Sequence, residues 1–304
     1  MKKITLALAV SSVLGVSSAA HALNASEFAS GVLVPHALWA EDGSTSTAIS
    51  LTDACGGTVY WTFFDVDTKH VIDGEFDTSR NDWVAFSHGS TIGDVAGEFN
   101  SGPQFPGDPQ LGYYVFVHSS IVNNDLIIGE SAAPCLAGNA FQVFPGQDDV
   151  AYIPAIPLHP RDLKFGANVI DLGPDSVVRL HAGAQANDGD ILYLNYVDDI
   201  EVSNIVIWSA QDVSGSYTVN IYDTDQNRAS TTLNLPNKEL NVVDSKTINK
   251  PIDFAAGFIR WDLRTVASRS GEEDGIASFT VYYSEAFGAA QTVLNPILHG
   301  EIPE

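Results

Sequence analysis

Apolar and polar residues alternate with a period of two along most of this chain. In Thr58-Val59-Tyr60-Trp61-Thr62-Phe63-Phe64, residues Val59, Trp61 and Phe63 share one face; in Tyr217-Thr218-Val219-Asn220-Ile221-Tyr222, Tyr217, Val219 and Ile221 do. Successive side chains of an extended strand point to opposite sides, so this alternation predicts strands with one face on a core. Further strands are expected at 31–38, 47–51, 83–86, 113–119, 126–131, 140–144 and 150–156 in the first half. The second half offers 177–183, 191–197, 203–210, 230–235, 239–244, 256–263, 277–286 and 292–298. No segment carries a long stripe of period 3.6 with caps. Short strands parted by Gly, Asp, Asn and Pro are the pattern of a β-sandwich.

The halves resemble each other. Residues 31–67 lie over 189–225 at a constant offset of 158, with Gly31 on Gly189, Ile49 on Ile207, Gly57 on Gly215, Asp65 on Asp223 and Asp67 on Asp225. Weaker matches at smaller offsets set Gly112-Tyr113-Tyr114 on Gly257-Phe258-Ile259, residues 127–131 on 282–286, and 140–143 on 290–293. A shorter offset is what an insertion in the first half produces, and residues 88–110 are the candidate. That stretch has five glycines, three prolines and no apolar period, so it reads as a long loop. The expected fold is all-β: two tandem immunoglobulin-like β-sandwich domains from an internal duplication. Residues 23–157 form the first, 158–188 a Pro/Gly-punctuated connection with a candidate first strand, and 189–304 the second.

Residues 1–22 read as a signal peptide. Lys2 and Lys3 precede an apolar stretch from Ile4 to Val16, and Ala20-His21-Ala22 is an A-x-A cleavage site. The apolar run is too short for an anchor, and no later stretch approaches the ~20 residues of a membrane span. A short lysine-led signal of this kind has a bacterial look, and the expected destination is the periplasm or the extracellular space. Cys55 and Cys135, the two cysteines of the chain, are expected to form a disulfide there. Closing a loop of about 80 residues, it would contribute ~4 kcal/mol in the chain-entropy account. Val213 stands where the second repeat would have the counterpart of Cys55, so the bridge belongs to the first half alone.

Without Lys2 and Lys3 the chain has 12 basic and 38 acidic side chains, a net charge of −26. Only Lys69 and Arg80 are basic within 23–160, against 17 carboxylates; residues 161–304 hold 10 basic and 21 acidic residues. Such a surface repels phosphate backbones and anionic headgroups, which argues against nucleic acid and membrane insertion. It suits solubility in salt, basic partners and divalent cations.

Candidate chemistry is sparse. Asp65 and Asp67, and Asp223, Asp225 and Asn227, follow corresponding strands at the alternate spacing by which calcium loops present oxygens. The twelfth position from Asp223 is Asn234 rather than a bidentate Glu, and Lys69 occupies the third alternate position of the first repeat. Hairpin turns held by Asp side chains are the plainer reading of the motif, with structural Ca²⁺ as the one cofactor to consider. Tyr60, Phe64 and Trp83 belong to an aromatic-rich first half; Tyr60 and Phe64 point away from the Val59–Trp61–Phe63 face. They are candidates for a ligand surface, with packing or domain contact as the plainer role. The sequence carries no metalloprotease, nucleophile-elbow, phosphate-loop or dinucleotide motif. Gly89-Ser90-Thr91-Ile92-Gly93 has Thr at its centre, and the histidines lack ligand spacing. The pattern therefore points first to an exported, non-enzymatic structural or interaction protein of the surface, matrix or periplasm, acting through a protein partner or self-assembly. A carbohydrate-binding protein comes second, with a glycan partner, and a carboxylate-based hydrolase third.

Overall fold

The computed structural model describes residues 27–40, 45–88, 110–121, 133–144, 146, 148–164, 172, 176–180, 190–266 and 275–299. The expected signal peptide, the interior of the expected 88–110 loop, the strand expected at 126–131 and the end of that expected at 177–183 lie outside the described residues, as does Gly189. The described chain is all-β: four antiparallel sheets joined by turns and single 3₁₀ turns.

The first half contains β1 (Gly31–Trp39), β2 (Ser46–Asp53), β3 (Gly57–Asp65), β4 (His70–Thr78), β5 (Asp82–Ser87), β6 (Gln110–His118), β7 (Leu136–Phe144), β8 (Asp149–Ile153) and β9 (Ile156–Leu158). The second contains β10 (Ile191–Val197), β11 (Val202–Ser209), β12 (Gly215–Asp223), β13 (Arg228–Leu235), β14 (Leu240–Asp244), β15 (Ala256–Asp262), β16 (Ile276–Ser284), β17 (Ala289–Leu294) and β18 (Ile297–Leu298). The first half forms sheets β4-β3-β6-β1-β9 and β5-β2-β7-β8. The second forms sheets β13-β12-β15-β10-β18 and β14-β11-β16-β17. Strand for strand, the second order is the first again.

The equivalence extends to details. Asp65 lies opposite Gly112 and Phe64 opposite Tyr113; Asp223 lies opposite Gly257 and Tyr222 opposite Phe258. A Cβ on Gly112 would stand 2.0 Å from the Phe64 carbonyl oxygen, and one on Gly257 1.9 Å from that of Tyr222. Both glycines are there because the neighbouring backbone comes too close for a side chain. The ladders depart from the gap-free alignment at one place. Leu33 pairs with Val115 and Tyr193 with Arg260, which slips the first part of β1 against β10 by two residues and leaves its faces unchanged; past the bulge, where Ala37 pairs with Gly112 and Tyr196 with Gly257, the slip is one. The weaker match of 140–143 to 290–293 is a misalignment: it sets β7 on β17, whereas the strand order pairs β7 with β16.

β4 is an edge strand whose alternation escaped the apolar pattern. Asp73, Glu75 and Asp77 occupy its solvent face, and of the inward residues one is Gly74. Charge on an edge strand deters pairing with other chains, and it also hides the strand from a search for apolar residues. β1 shows the opposite extreme, buried from Gly31 to Ala37 on both faces. Its register shifts between Val34 and Ala37, where Pro35 lacks the N–H a regular ladder needs.

Ile205 and Ile207 on β11 belong to the second core, with Leu192, Leu194, Val219, Ile221, Ile259 and Trp261. Val206 and Trp208, pointing the other way, belong to a different cluster that runs through the whole first sandwich. Phe279 and Val281 of β16 and Leu240 of β14 join them there. The first core thus continues across the boundary between the halves. Leu163, Leu172, Val177 and Leu180 of the connection are buried in the same cluster.

Candidate interaction surfaces

The contact between the halves uses residues at the ends of β3 and β6 and on the outer side of β11. Phe64 stacks on Tyr113 (centroids 5.2 Å, planes 22° apart), and Tyr113 meets the edge of Trp208 at 5.6 Å. Tyr113 donates its hydroxyl hydrogen to Glu239 Oε2 at 2.5 Å. Burial first, then the Glu239 carboxylate, holds that hydroxyl protonated well above the ordinary tyrosine range. The β3–β4 turn adds backbone clamps: the Val66 carbonyl accepts from the Glu239 and Leu240 amides, and Asp67 Oδ1 accepts from the Lys238 amide. At the other end Phe144 stacks on Tyr283, and Asp149 Oδ2 accepts from the Ala290 amide at 2.5 Å. Thr292 donates its hydroxyl hydrogen to the Tyr152 carbonyl. His36, buried in the β1 bulge, faces the edge of the Phe279 ring. Its Nδ1 has no hydrogen-bond partner in the protein, and burial pushes its pKa down to about 4.

The same two rings recur, uncovered, on the second sandwich. Tyr222 stacks on Phe258 (4.9 Å, 18°) and Tyr193 lies 5.5 Å from Phe258. All three are half-buried on the outer face of the β13-β12-β15-β10-β18 sheet. Arg260 lies beside them, and Arg228 opposite Tyr222 is exposed. The carboxylate sharing this face, Asp262 at the end of β15, is paired with Arg264 at 2.6 Å. The face is therefore aromatic and basic in a strongly acidic chain.

A third surface is the outer face of β5-β2-β7-β8. Cross-strand pairing places Trp83 and Ala85 on β5, Ala48, Ser50 and Thr52 on β2, Ala137, Asn139, Phe141 and Val143 on β7, and Val150 and Tyr152 on β8 on that side. None of these residues is charged. Trp83 is 54 % exposed, Val150 47 % and Phe141 37 %. Ala48, which the offset of 158 sets on Val206, pairs with Phe141 as Val206 pairs with Phe279. This sheet is thus the counterpart of the one whose outer face meets the first sandwich. Val71, Ile252 and Phe287, other exposed apolar side chains, sit on an edge strand or turns.

The aromatic residues singled out in the sequence do not converge. Phe64 is 1 % exposed, beneath the second sandwich. Tyr60 is half-buried on the same face of β3, and Trp83 projects from the opposite sheet. The sequence pattern missed Phe141, Val150, Tyr193 and Phe258 as surface residues. Their signal was a strand whose solvent-side positions lack charge, which strand pairing makes readable.

The two Asp motifs form one turn twice. Asp65 Oδ1 accepts from the amides of Asp67 and Lys69, both at 2.9 Å; Asp223 Oδ1 accepts from Asp225 at 2.9 Å and Asn227 at 2.8 Å. Thr68 and Gln226 adopt the left-handed conformation, φ 68° and 67°, that closes each four-residue loop. Asn227 Nδ2 donates to Asp223 Oδ2 at 2.7 Å, and this bond leads the effects that lower the Asp223 pKa. Among the described residues, no group of three or more His, Cys, Asp or Glu is placed to hold a metal ion.

Cys55 and Cys135 form a disulfide, which fits an oxidising compartment. Buried Asp53 organises its surroundings: Oδ1 accepts from the Cys55 and Gly56 amides at 2.7 and 3.0 Å, and Oδ2 from the Thr78 hydroxyl at 2.5 Å. His118 Nε2 lies 3.2 Å from Oδ2, and its Nδ1 accepts from the Ser120 amide, so Nε2 carries the hydrogen. Among the described residues no helix is long and apolar enough to cross a membrane. Comparison with protein-family models and with curated proteins finds no match to this chain.

Proposed function

We propose that this protein is an exported, non-enzymatic structural or interaction protein, built from a duplicated immunoglobulin-like sandwich, that works through its sheet faces. The observation that carries this reading is the uncharged outer face of β5-β2-β7-β8 in a chain of net charge −26 after signal removal. The solvated side of an antiparallel sheet ordinarily carries polar and charged residues. Contiguous apolar surface rimmed by polar residues marks a contact site. The matching strand orders and the paired Asp turns support duplication, and the disulfide supports an oxidising destination.

Hydroxyl-radical footprinting tests the reading. In producing cells, Trp83, Phe141 and Tyr152 are expected to oxidise several-fold more slowly than in the dilute purified protein, while Ile252 and Phe287 react alike. Equal oxidation of the face in both settings refutes it.

A further inference from the structure

We infer that the partner of the uncharged face is the aromatic, basic face of a second copy of this chain, so that copies associate head to tail. The inference rests on the proposed interaction role and names the occupant. Its template is the contact inside the molecule. There, the outer face of β4-β3-β6-β1-β9 bearing Phe64 and Tyr113 packs on the outer face of β14-β11-β16-β17 bearing Val206, Trp208 and Phe279. Each half has one face of each kind, because the strand orders are the same. The internal contact uses one of each. The two left over are complementary kinds: the Tyr222–Phe258 face, counterpart of Phe64–Tyr113, and the Trp83–Phe141 face, counterpart of Trp208–Phe279.

Joining these leftovers between copies repeats the relation that joins the halves. Such a contact is heterologous: it uses two different patches and leaves one of each free at the ends, so it extends rather than closing at a dimer. Charge agrees with this direction. Arg228 and Arg260 flank the aromatic face, whereas residues 23–160 have 17 carboxylates and two basic side chains. Asp82 immediately precedes Trp83 on β5, and exposed Asp148 lies in the turn two residues before Val150 of β8. Bonds from Ser79 and the Trp83 amide hold Asp82 ionised. Two uncharged faces meeting each other would lack this complement, and two arginine-bearing faces would repel.

Mixing of face-specific variants tests the geometry. The purified chain is expected to show an apparent mass that rises with concentration past the dimer in light scattering at low salt. Trp83→Glu spoils one face and Phe258→Glu the other; if Phe258→Glu does not fold, Arg260→Glu serves. Each single variant, folded by its circular dichroism and melting curve, is expected to remain monomeric, with self-association weakened by about 30-fold or more, as on loss of a central anchor. A one-to-one mixture is expected to form dimers and stop there, since each partner brings one intact face. A Phe258→Glu variant that dimerises alone points to two uncharged faces meeting and overturns the proposal. So does a mixture that stays monomeric, or a wild-type protein that is monomeric throughout. Protection of Trp83 and Phe141 in cells together with a monomeric purified chain would leave the interaction role standing and reject the second copy.

Discussion

Replacing Trp208 by Ala probes the joint on which the architecture depends. Trp208 is fully buried, projecting from the second sandwich into the first core against Tyr113. A buried Trp removes about 150–250 Å² from water, which at about 25 cal/mol per Å² corresponds to about 4–6 kcal/mol. Its indole N–H has no hydrogen-bond partner in the protein. Losing that donor returns about 1–3 kcal/mol, so the net expected loss is about 3 kcal/mol. Urea unfolding followed by far-ultraviolet circular dichroism and by fluorescence provides the assay. The wild type is expected to unfold in one transition, because one apolar cluster spans both halves. Trp208→Ala is expected to lower stability by about 3 kcal/mol and to separate the transitions of the halves. A double-mutant cycle with Tyr113→Ala should give a coupling of about 0.5–1.5 kcal/mol for the ring pair. A loss under about 1 kcal/mol, or strictly additive single effects, would refute the reasoning that this contact joins the sandwiches.

Other outcomes rest on the same structure. Asp53→Ala removes the acceptor of the Cys55 and Gly56 amides and leaves buried His118 without its neighbouring carboxylate, and is expected to cost about 3–5 kcal/mol with the disulfide intact, measured by denaturant unfolding of the oxidised protein. His36 has a folded pKa of about 4 against 6.5 unfolded; its contribution is present above pH 6.5 and is lost as pH falls toward 4, a span worth about 3 kcal/mol. Asp162 opposes it over nearly the same range: burial raises its pKa from 3.8 to about 6, so its cost is absent below pH 3.8, grows as pH rises and is full above pH 6; His36→Phe should flatten the acid limb of the stability profile, while Asp162→Asn should steepen it. Gly257→Ala forces a Cβ to 1.9 Å from the Tyr222 carbonyl oxygen, and is expected to lower the melting temperature by about 4 °C or more. Because amides occupy Asp65 Oδ1 and Asp223 Oδ1, millimolar Ca²⁺ should leave that temperature where EDTA leaves it; a clear rise would return these turns to the metal-site reading.

Much of this fold was legible from local chemistry. Alternation at 58–64 and 217–222 located β3 and β12, because a strand's side-chain period is a property of its backbone. Asp65 and Asp223 announced their turns because a short carboxylate reaches amides two and four residues on. The cysteine pair, two in number, announced its own bridge. β4 was illegible because charge on an edge replaces the apolar signal, and the slip of β1 against β10 because a two-residue shift leaves the side chains before the bulge on the same face. What the sequence could not say is which sheet faces would be covered. Phe64 and Tyr222 occupy matching positions in the two strand orders, follow the same alternation and each stack on the ring across from them on the neighbouring strand. One is buried, stacked on the Tyr113 ring that meets Trp208, and the other is half open to solvent. Their strands do not distinguish them; only the placement of one sandwich on the other does, because burial is decided by the neighbour a face acquires.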